Sequence, residues 1–322
     1  LWRVFYCPVF SEPGTRCPLF CRPKTNPFDV DRSSNRPMPS VWMIVASFLF
    51  ACMGVCVKLG SAQFSTGELV FYRGFVSVVM MLVAARLRRV SLATPHWRLQ
   101  LSRSVSGSVA LMCYFFAIGI LPIATAATLS YTSPIFVALL LALFLGERLR
   151  WPTLLSVATG FAGVVLLLRP TLVAGQELGA VVGLASGAIA SLAYISVREL
   201  GRAGEPEVRT VFWFSLVTTV LGLGWALTGP VNMPDWRGLA VVLGVGLFGG
   251  LAQLAMTRSY RYGRTVVSAN LSYSTVVFAS FFGAILWGDQ LPLLAWAAIG
   301  LIIASGVAVS LTSSRPPADS PE

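Results

Sequence analysis

Charged side chains are scarce in this chain of 322 residues. They make up 11% of the residues, and hydrophobic residues make up 56%. A soluble domain of ordinary composition carries about 25% charged residues. Most of this chain therefore cannot face water, which excludes an ordinary soluble globular protein.

Groups that carry chemistry are lacking as well. His96 is the single histidine, and the cysteines form no pattern with it that would hold a metal. The sequence contains no GxSxG, HExxH or GxGD motif, no nucleotide-binding loop and no acidic pair deep inside an apolar run. We expect no catalytic residue, metal or cofactor. An intramembrane enzyme acting on a lipid or peptide is therefore not the favoured function, and it is retained as the alternative to the function predicted below.

Long apolar runs are what the sequence has instead. A bilayer core of about 30 Å is crossed by about 20 apolar residues in a helix. The sequence predicts an all-α polytopic membrane protein with ten spans, and nine is the competing count. The predicted spans are 41–59, 68–86, 103–120, 124–145, 152–168, 178–197, 208–227, 238–258, 265–287 and 291–311.

The basic residues are distributed unevenly along these spans. The net charge is +11, and twenty of the 24 basic residues, Arg103 among them, fall in segments that a ten-span chain places on the same side as its N-terminus. Because basic loops stay in the cytoplasm, we predict an inner-membrane protein with both termini cytoplasmic. The charge thus orients the chain in the lipid bilayer, and no nucleic acid is expected as a partner. The oligomeric state is left open.

Residues 1–37 differ from the rest of the chain, because proline, arginine and cysteine replace its leucine, alanine and valine. The first methionine is Met38. We expect 1–37 to be a leader that is disordered or that lies upstream of the true start. A regulatory cytosolic tail is the alternative.

An apolar segment occurs twice in the sequence. LSYTSPIFVALLLALFLGERL at 129–149 returns 142 residues later as LSYSTVVFASFFGAILWGDQL, with Glu147 aligned on Asp289. If this match marks a repeat of the whole chain, each half holds five predicted spans. Because five is an odd number, the second half crosses the membrane in the opposite sense to the first. Inverted repeats of this kind are typical of secondary transporters. We predict a first repeat over 38–170, a second over 175–311 and a cytoplasmic tail over 312–322.

The stretches FYRGF at 71–75, LPIA at 121–124, YTSP at 131–134 and GERL at 146–149 resemble the EamA family of the drug/metabolite transporter superfamily. The resemblance covers about residues 41–311. It implies ten helices in two inverted five-helix repeats, and transport of small metabolites by alternating access. It also implies that the third, fourth, eighth and ninth spans surround a central cavity.

Candidate substrate-binding residues are polar or aromatic side chains within the spans. They are Arg73, Tyr114, Tyr131, Tyr194, Gln253, Asn270 and Tyr273. An aromatic pocket with few polar anchors suits a small amphipathic solute, and Arg73 adds the prediction that the solute is anionic. Packing roles for the tyrosines and an interfacial, snorkelling Arg73 are the alternatives.

Two further residues are assigned mechanical roles. Glu68, near the outer face, is the candidate for coupling to an ion. Pro134, inside the fourth span, is the candidate hinge, because proline removes a backbone hydrogen bond that lipid cannot replace. Since Val276 aligns with Pro134, equal kinking of the fourth and ninth spans is not expected.

Overall fold

A computed structural model describes residues 40–121, 123–144, 151–168, 175–229, 232–288 and 292–314. The predicted leader, most of the predicted tail and the aligned carboxylates Glu147 and Asp289 lie outside the described residues. Within them, all regular secondary structure is helical.

The described helices follow one another with short connections. They are α1 (Val41–Gly60), α2 (Thr66–Leu87), α3 (Trp97–Ile120), α4 (Ile123–Ser130), α5 (Ser133–Phe144), α6 (Trp151–Leu168), α7 (Glu177–Arg202), α8 (Glu207–Ala226), α9 (Trp236–Tyr262), α10 (Thr265–Leu271), α11 (Ser274–Trp287) and α12 (Leu293–Ser314). Helices α4 and α5 together form the fourth predicted span, and α10 and α11 form the ninth.

The spans confirm an all-α polytopic membrane protein. In the described part of the chain, nine spans are long and apolar enough to cross a bilayer. Helix α3, with 24 residues, corresponds to the third predicted span and is the tenth long helical segment. It begins at Trp97 and not near 103 as predicted, because the polar segment 97–106 continues the helix. This earlier start moves Arg103 from the helix end into its second turn.

Helix packing follows the repeat. If each span is matched with the one five places later, the pair α1–α9 maps onto the pair α7–α3, and both pairs pack extensively. The pairs α2–α8 and α6–α12 map onto themselves, and each also packs extensively. The two halves are therefore joined by a pseudo-twofold set of contacts, as expected for two related repeats of opposite orientation.

Glycines bring α2 and α8, one helix from each repeat, into backbone contact. A Cβ atom added to Gly67 or Gly74 would lie 2.8 Å from a backbone nitrogen of α8. A Cβ added to Gly222 would lie 2.7 Å from the backbone nitrogen of Phe71. No larger residue fits at these three positions without moving one helix away from the other.

The fourth and ninth spans break at nearly the same place in the repeat. Residues 131–132 separate α4 from α5, and residues 272–273 separate α10 from α11. The Thr132 hydroxyl donates to the Leu129 carbonyl over 2.6 Å, and the aligned Ser274 hydroxyl donates to the Leu271 carbonyl. Hydroxyl groups that bond to nearby carbonyls compete with regular helix and bend it. The repeated LSY sequence thus marks two helix breaks.

Proline does not distinguish the two breaks. Pro134 is the second residue of α5, where a missing backbone N–H is tolerated. The ninth span breaks with Val276 at the aligned position, so a break at this place does not require proline. The role of Pro134 as a hinge stays a prediction.

Candidate functional site

Arg73 is buried inside the bundle. Its side chain lies seven residues into α2, about 10 Å from the start of the helix, and the residue is 8% exposed. The guanidinium carbon lies 5.8 Å from the centre of the Phe214 ring on α8. A Cβ on Gly249 of α9 would come within 3.3 Å of the Arg73 Nε atom. The side chain therefore points toward the second repeat.

A second arginine reaches the same ring from the opposite face of the bundle. Arg103 of α3 is 2% exposed, and its guanidinium carbon lies 4.3 Å from the Phe214 ring centre. Its Nη2 donates to Oε1 of Gln253 over 3.1 Å. A Cβ on Gly107 would come within 2.2 Å of the Arg103 Nη1 atom. Grouping Arg103 with the cytoplasmic loop residues was wrong, because α3 starts before it.

The two arginines keep unused donors. Among the described residues, Nε and Nη1 of Arg73 and Nε of Arg103 have no hydrogen-bond partner. A buried cation without an acceptor is costly. Neither guanidinium forms an ion pair with a carboxylate of the described residues. We call Arg73, Arg103, Phe214 and Gln253 the basic cluster.

Aromatic side chains border the basic cluster. Tyr194 stacks on Tyr260 with ring centres 5.1 Å apart and planes 13° apart. The charges of both Arg73 and Arg103 act on the Tyr194 hydroxyl. The predicted residues Arg73, Tyr194 and Gln253 are thus brought together.

Tyr131 and Tyr273 form a second group at the helix breaks. Their ring centres lie 6.3 Å apart at an interplanar angle of 63°. Tyr273 is fully buried, and its hydroxyl has no hydrogen-bond partner among the described residues. The aligned tyrosines of the two repeats therefore meet each other in the interior.

Two predicted residues contact other neighbours. The Asn270 amide donates to the Ser305 hydroxyl on α12 over 2.9 Å, and Ser305 donates to the Ser156 carbonyl on α6 over 2.6 Å. Tyr114 packs against a small core formed by α3 and α4. For Asn270 this geometry favours a link between helices, and its role in binding stays a prediction.

Glu68 is held at one end of the bundle. One carboxylate oxygen accepts from the Ser65 backbone nitrogen over 2.7 Å in a capping box. The other accepts from the backbone nitrogen of Asn232, in the connection between α8 and α9, over 2.6 Å. The carboxylate is buried. It ties the first repeat to the second, and its proposed coupling role is untested.

Glu205 makes the matching contact at the opposite end. Its Oε1 atom accepts from the Thr94 hydroxyl over 2.5 Å and lies 3.1 Å from Nδ1 of His96. Its Oε2 atom accepts from Nη1 of Arg209 over 2.7 Å. Burial by itself raises the pKa of this carboxyl, but the hydrogen bonds from Thr94, His96 and Arg209 outweigh burial and lower the pKa below its usual value.

Three residues with notable contacts in the structure were not predicted as site residues from the sequence. They are Arg103, Phe214 and Glu205. The segment 97–102, WRLQLS, contains three apolar residues and no proline or glycine, and this was a usable signal for an earlier helix start. Phe214 carried no comparable signal. It is one of 20 phenylalanines, and its position between two arginines depends on packing.

The chain is similar to known proteins over most of its length. A sequence profile described as the EamA-like transporter family matches residues 38–169 and again residues 177–311. The pseudopaline exporter of Pseudomonas aeruginosa is 30% identical over 272 residues, which covers 84% of this chain and 94% of the relative. A riboflavin transporter of Rhizobium johnstonii is 28% identical over 228 residues, covering 69% of this chain and 74% of the relative.

A solved crystal structure shares the fold. It superposes with a TM-score of 0.76 at 20% sequence identity, covering 85% of this chain and 96% of its own. Because the family profile matches in both halves of the chain and a relative is 30% identical over most of it, this chain belongs to the EamA-like transporter family.

Proposed function

We propose that this protein is a secondary transporter that moves a small anionic organic metabolite by alternating access between its two repeats. The observation that carries the proposal is the buried Arg73, whose Nε and Nη1 atoms have no acceptor among the described residues. A guanidinium forms a forked pair of hydrogen bonds with a carboxylate. An anionic solute would supply the missing acceptors.

The surroundings of Arg73 favour a solute that also has an apolar part. Phe214, Tyr194 and Tyr260 present rings beside the guanidinium groups. Binding sites of this kind use apolar walls for affinity and a few polar groups for orientation. The matched relatives are named for pseudopaline and riboflavin, which supports an organic solute.

We further propose that the chain lies in the inner membrane with both termini cytoplasmic and that it transports its solute without chemical change. The excess of basic residues on one side supports this orientation. Reporter fusions after residues 95 and 315 should both score as cytoplasmic. A periplasmic signal from either fusion would contradict the ten-span arrangement.

The anionic solute can be sought by thermal stabilisation of the purified full chain with a panel of small organic acids, amines and neutral metabolites. Ligands that bind the folded state raise its apparent stability. The best ligand is then tested for counterflow in proteoliposomes. We expect Arg73→Lys to weaken counterflow and Arg73→Ala to weaken it further, at normal membrane abundance.

Arg237→Ala is the matched control. Arg237 is exposed and lies over the neighbouring Trp236 ring. Counterflow at the wild-type rate in both Arg73 variants, or stabilisation by cations and neutral solutes alone, would overturn the anionic-solute proposal.

A further inference from the structure

Two buried positive charges meet at one aromatic ring. Arg73 enters from α2 and Arg103 from α3, which are consecutive antiparallel helices, so the two side chains start from opposite faces of the bundle. Each lies about 9–10 Å inside its helix at 1.5 Å per residue. Both guanidinium groups approach the Phe214 ring. The basic cluster therefore joins side chains from opposite ends of the bundle at one ring.

The acidic residues of the described chain are engaged elsewhere. Glu68 and Glu205 hold the two ends of the bundle together, as described above. The remaining carboxylates contact a surface arginine or a backbone nitrogen. They are Glu177 with Gly175, Glu199 with Arg202, Glu207 with Arg261 and Asp235 with Gly238. None of the described carboxylates is left to balance Arg73 and Arg103.

Gln253 satisfies only part of Arg103. Its amide oxygen accepts one hydrogen bond from Nη2. An amide carries no charge, so it does not offset the charge of the guanidinium. A solute with a single negative charge would balance one arginine and leave the other buried without a counter-charge. Because the described residues supply no carboxylate to the basic cluster, its charge is balanced by two negative charges of a solute.

Two glycines allow both arginines to lie flat against helix backbone. Gly107 of α3 and Gly249 of α9 are aligned positions of the two repeats. A Cβ at Gly107 would overlap Arg103, and a Cβ at Gly249 would be 3.0 Å from Met53 and 3.3 Å from Arg73 Nε. The aligned glycines thus make room for the two arginine side chains.

We propose that Arg73 and Arg103 bind two separate acidic groups of one solute, so that the transported molecule is an organic dianion with one acidic group at each guanidinium. The inference rests on the proposed function, because it assigns a second anchor and a second charge to the same site. Arg103 is then a specificity-determining residue, which selects two acidic groups over one.

The test uses the purified full chain and matched ligand series. The dicarboxylates run from succinate to suberate, and the monocarboxylates have the same chain lengths. We expect one or more of the dicarboxylates to stabilise the protein at concentrations at least about tenfold below those its monocarboxylate partner requires, the effect of one charged hydrogen-bonding group. Arg103→Gln and Arg73→Gln should each abolish this preference, whereas Arg237→Gln should retain it.

The outcomes separate the two proposals. If the two series bind equally and Arg103→Gln changes neither, the dianion inference is overturned while anion transport stands. Should inorganic phosphate stabilise the protein as well as the best dicarboxylate, a single doubly charged group suffices and two separate acids are excluded. If no anion binds, both proposals fail. Because a glutamine variant could be misfolded, its apparent melting temperature without ligand is measured first, and a value below that of the wild type would contradict the claim that these charges lack counter-charges.

Discussion

Buried acids and buried bases are treated in opposite ways by this bundle. Glu68 and Glu205, at its two ends, accept hydrogen bonds on both carboxylate oxygens. Arg73 and Arg103, nearer its middle, retain donors with no acceptor among the described residues. Saturated groups stabilise the fold, whereas unsatisfied groups reduce stability unless a ligand completes them. The difference separates residues that join the repeats from residues available to a solute.

The sharpest test of this contrast removes both arginines. The double variant Arg73→Met with Arg103→Met should lose transport by at least about a hundredfold, because charged pairs at a binding site contribute about 2–5 kcal/mol each. Its thermal stability without solute should be equal to or higher than that of the wild type, because apolar side chains replace unbalanced charges. Counterflow and melting temperature measured on the same preparation check both parts. A large fall in stability would show that the arginines are structural.

Removing a saturated acid should have the reverse effect on stability. Glu205→Ala leaves the Arg209 guanidinium, the Thr94 hydroxyl and His96 without their acceptor, and we expect a loss of about 3–5 kcal/mol in the free energy of unfolding. Glu199→Ala is the control. Glu199 pairs with Arg202 nearer the surface, and its loss should cost less than about 1 kcal/mol. Equal losses in the two variants would contradict a special role for Glu205.

The same contact predicts a pH dependence. The pKa of Glu205 is lower in the folded protein than its usual value near 4.5. Its contribution to stability is therefore complete above the unfolded pKa and is lost as the pH falls through the folded pKa. Melting temperature should decline below about pH 4.5 more steeply in the wild type than in Glu205→Gln. Parallel curves would exclude Glu205 as a source of acid sensitivity.

The sequence predicted these regions to different degrees. In the described part of the chain, nine of the ten predicted spans followed from apolar runs, whose lengths depend on the bilayer and not on neighbouring helices. The break in the fourth span was assigned to Pro134, although the hydroxyl bond of Thr132 and the matching one of Ser274 recur in both copies. Arg103 was misplaced because charge alone was used to assign it to a loop. Its burial depends on Phe214 and Gln253, which are distant in sequence.

Glu68 offers a smaller test at the other end. In Glu68→Gln, one side-chain atom changes from an acceptor to a donor, so either the Ser65 or the Asn232 backbone nitrogen loses its partner. We expect a loss of about 1–3 kcal/mol in the free energy of unfolding. If transport in this variant still follows an imposed proton gradient unchanged, the predicted coupling role of Glu68 is wrong and only its contact between the repeats remains.

The smallest effect is expected at Tyr273. Its buried hydroxyl has no partner among the described residues, so Tyr273→Phe should change the unfolding free energy by no more than about 0.5 kcal/mol, or raise it. Tyr260→Phe, another fully buried tyrosine, provides the comparison. A reduced affinity for solute at unchanged stability would show that the Tyr273 hydroxyl contacts the solute. A marked loss of stability would show that it has a structural partner.

The glycine contact between α2 and α8 has a consequence for how quickly the carrier can work. Interlocked side-chain ridges resist rotation of one helix on another, because the ridges must leave their grooves. At Gly67, Gly74 and Gly222 the two backbones touch without such ridges. We therefore expect α2 and α8 to rotate against each other at this contact with little repacking of side chains. The barrier to each change between the two states of the carrier should accordingly be low. Gly222→Ala should therefore separate α2 from α8 and slow turnover, measured as the rate of counterflow at saturating solute.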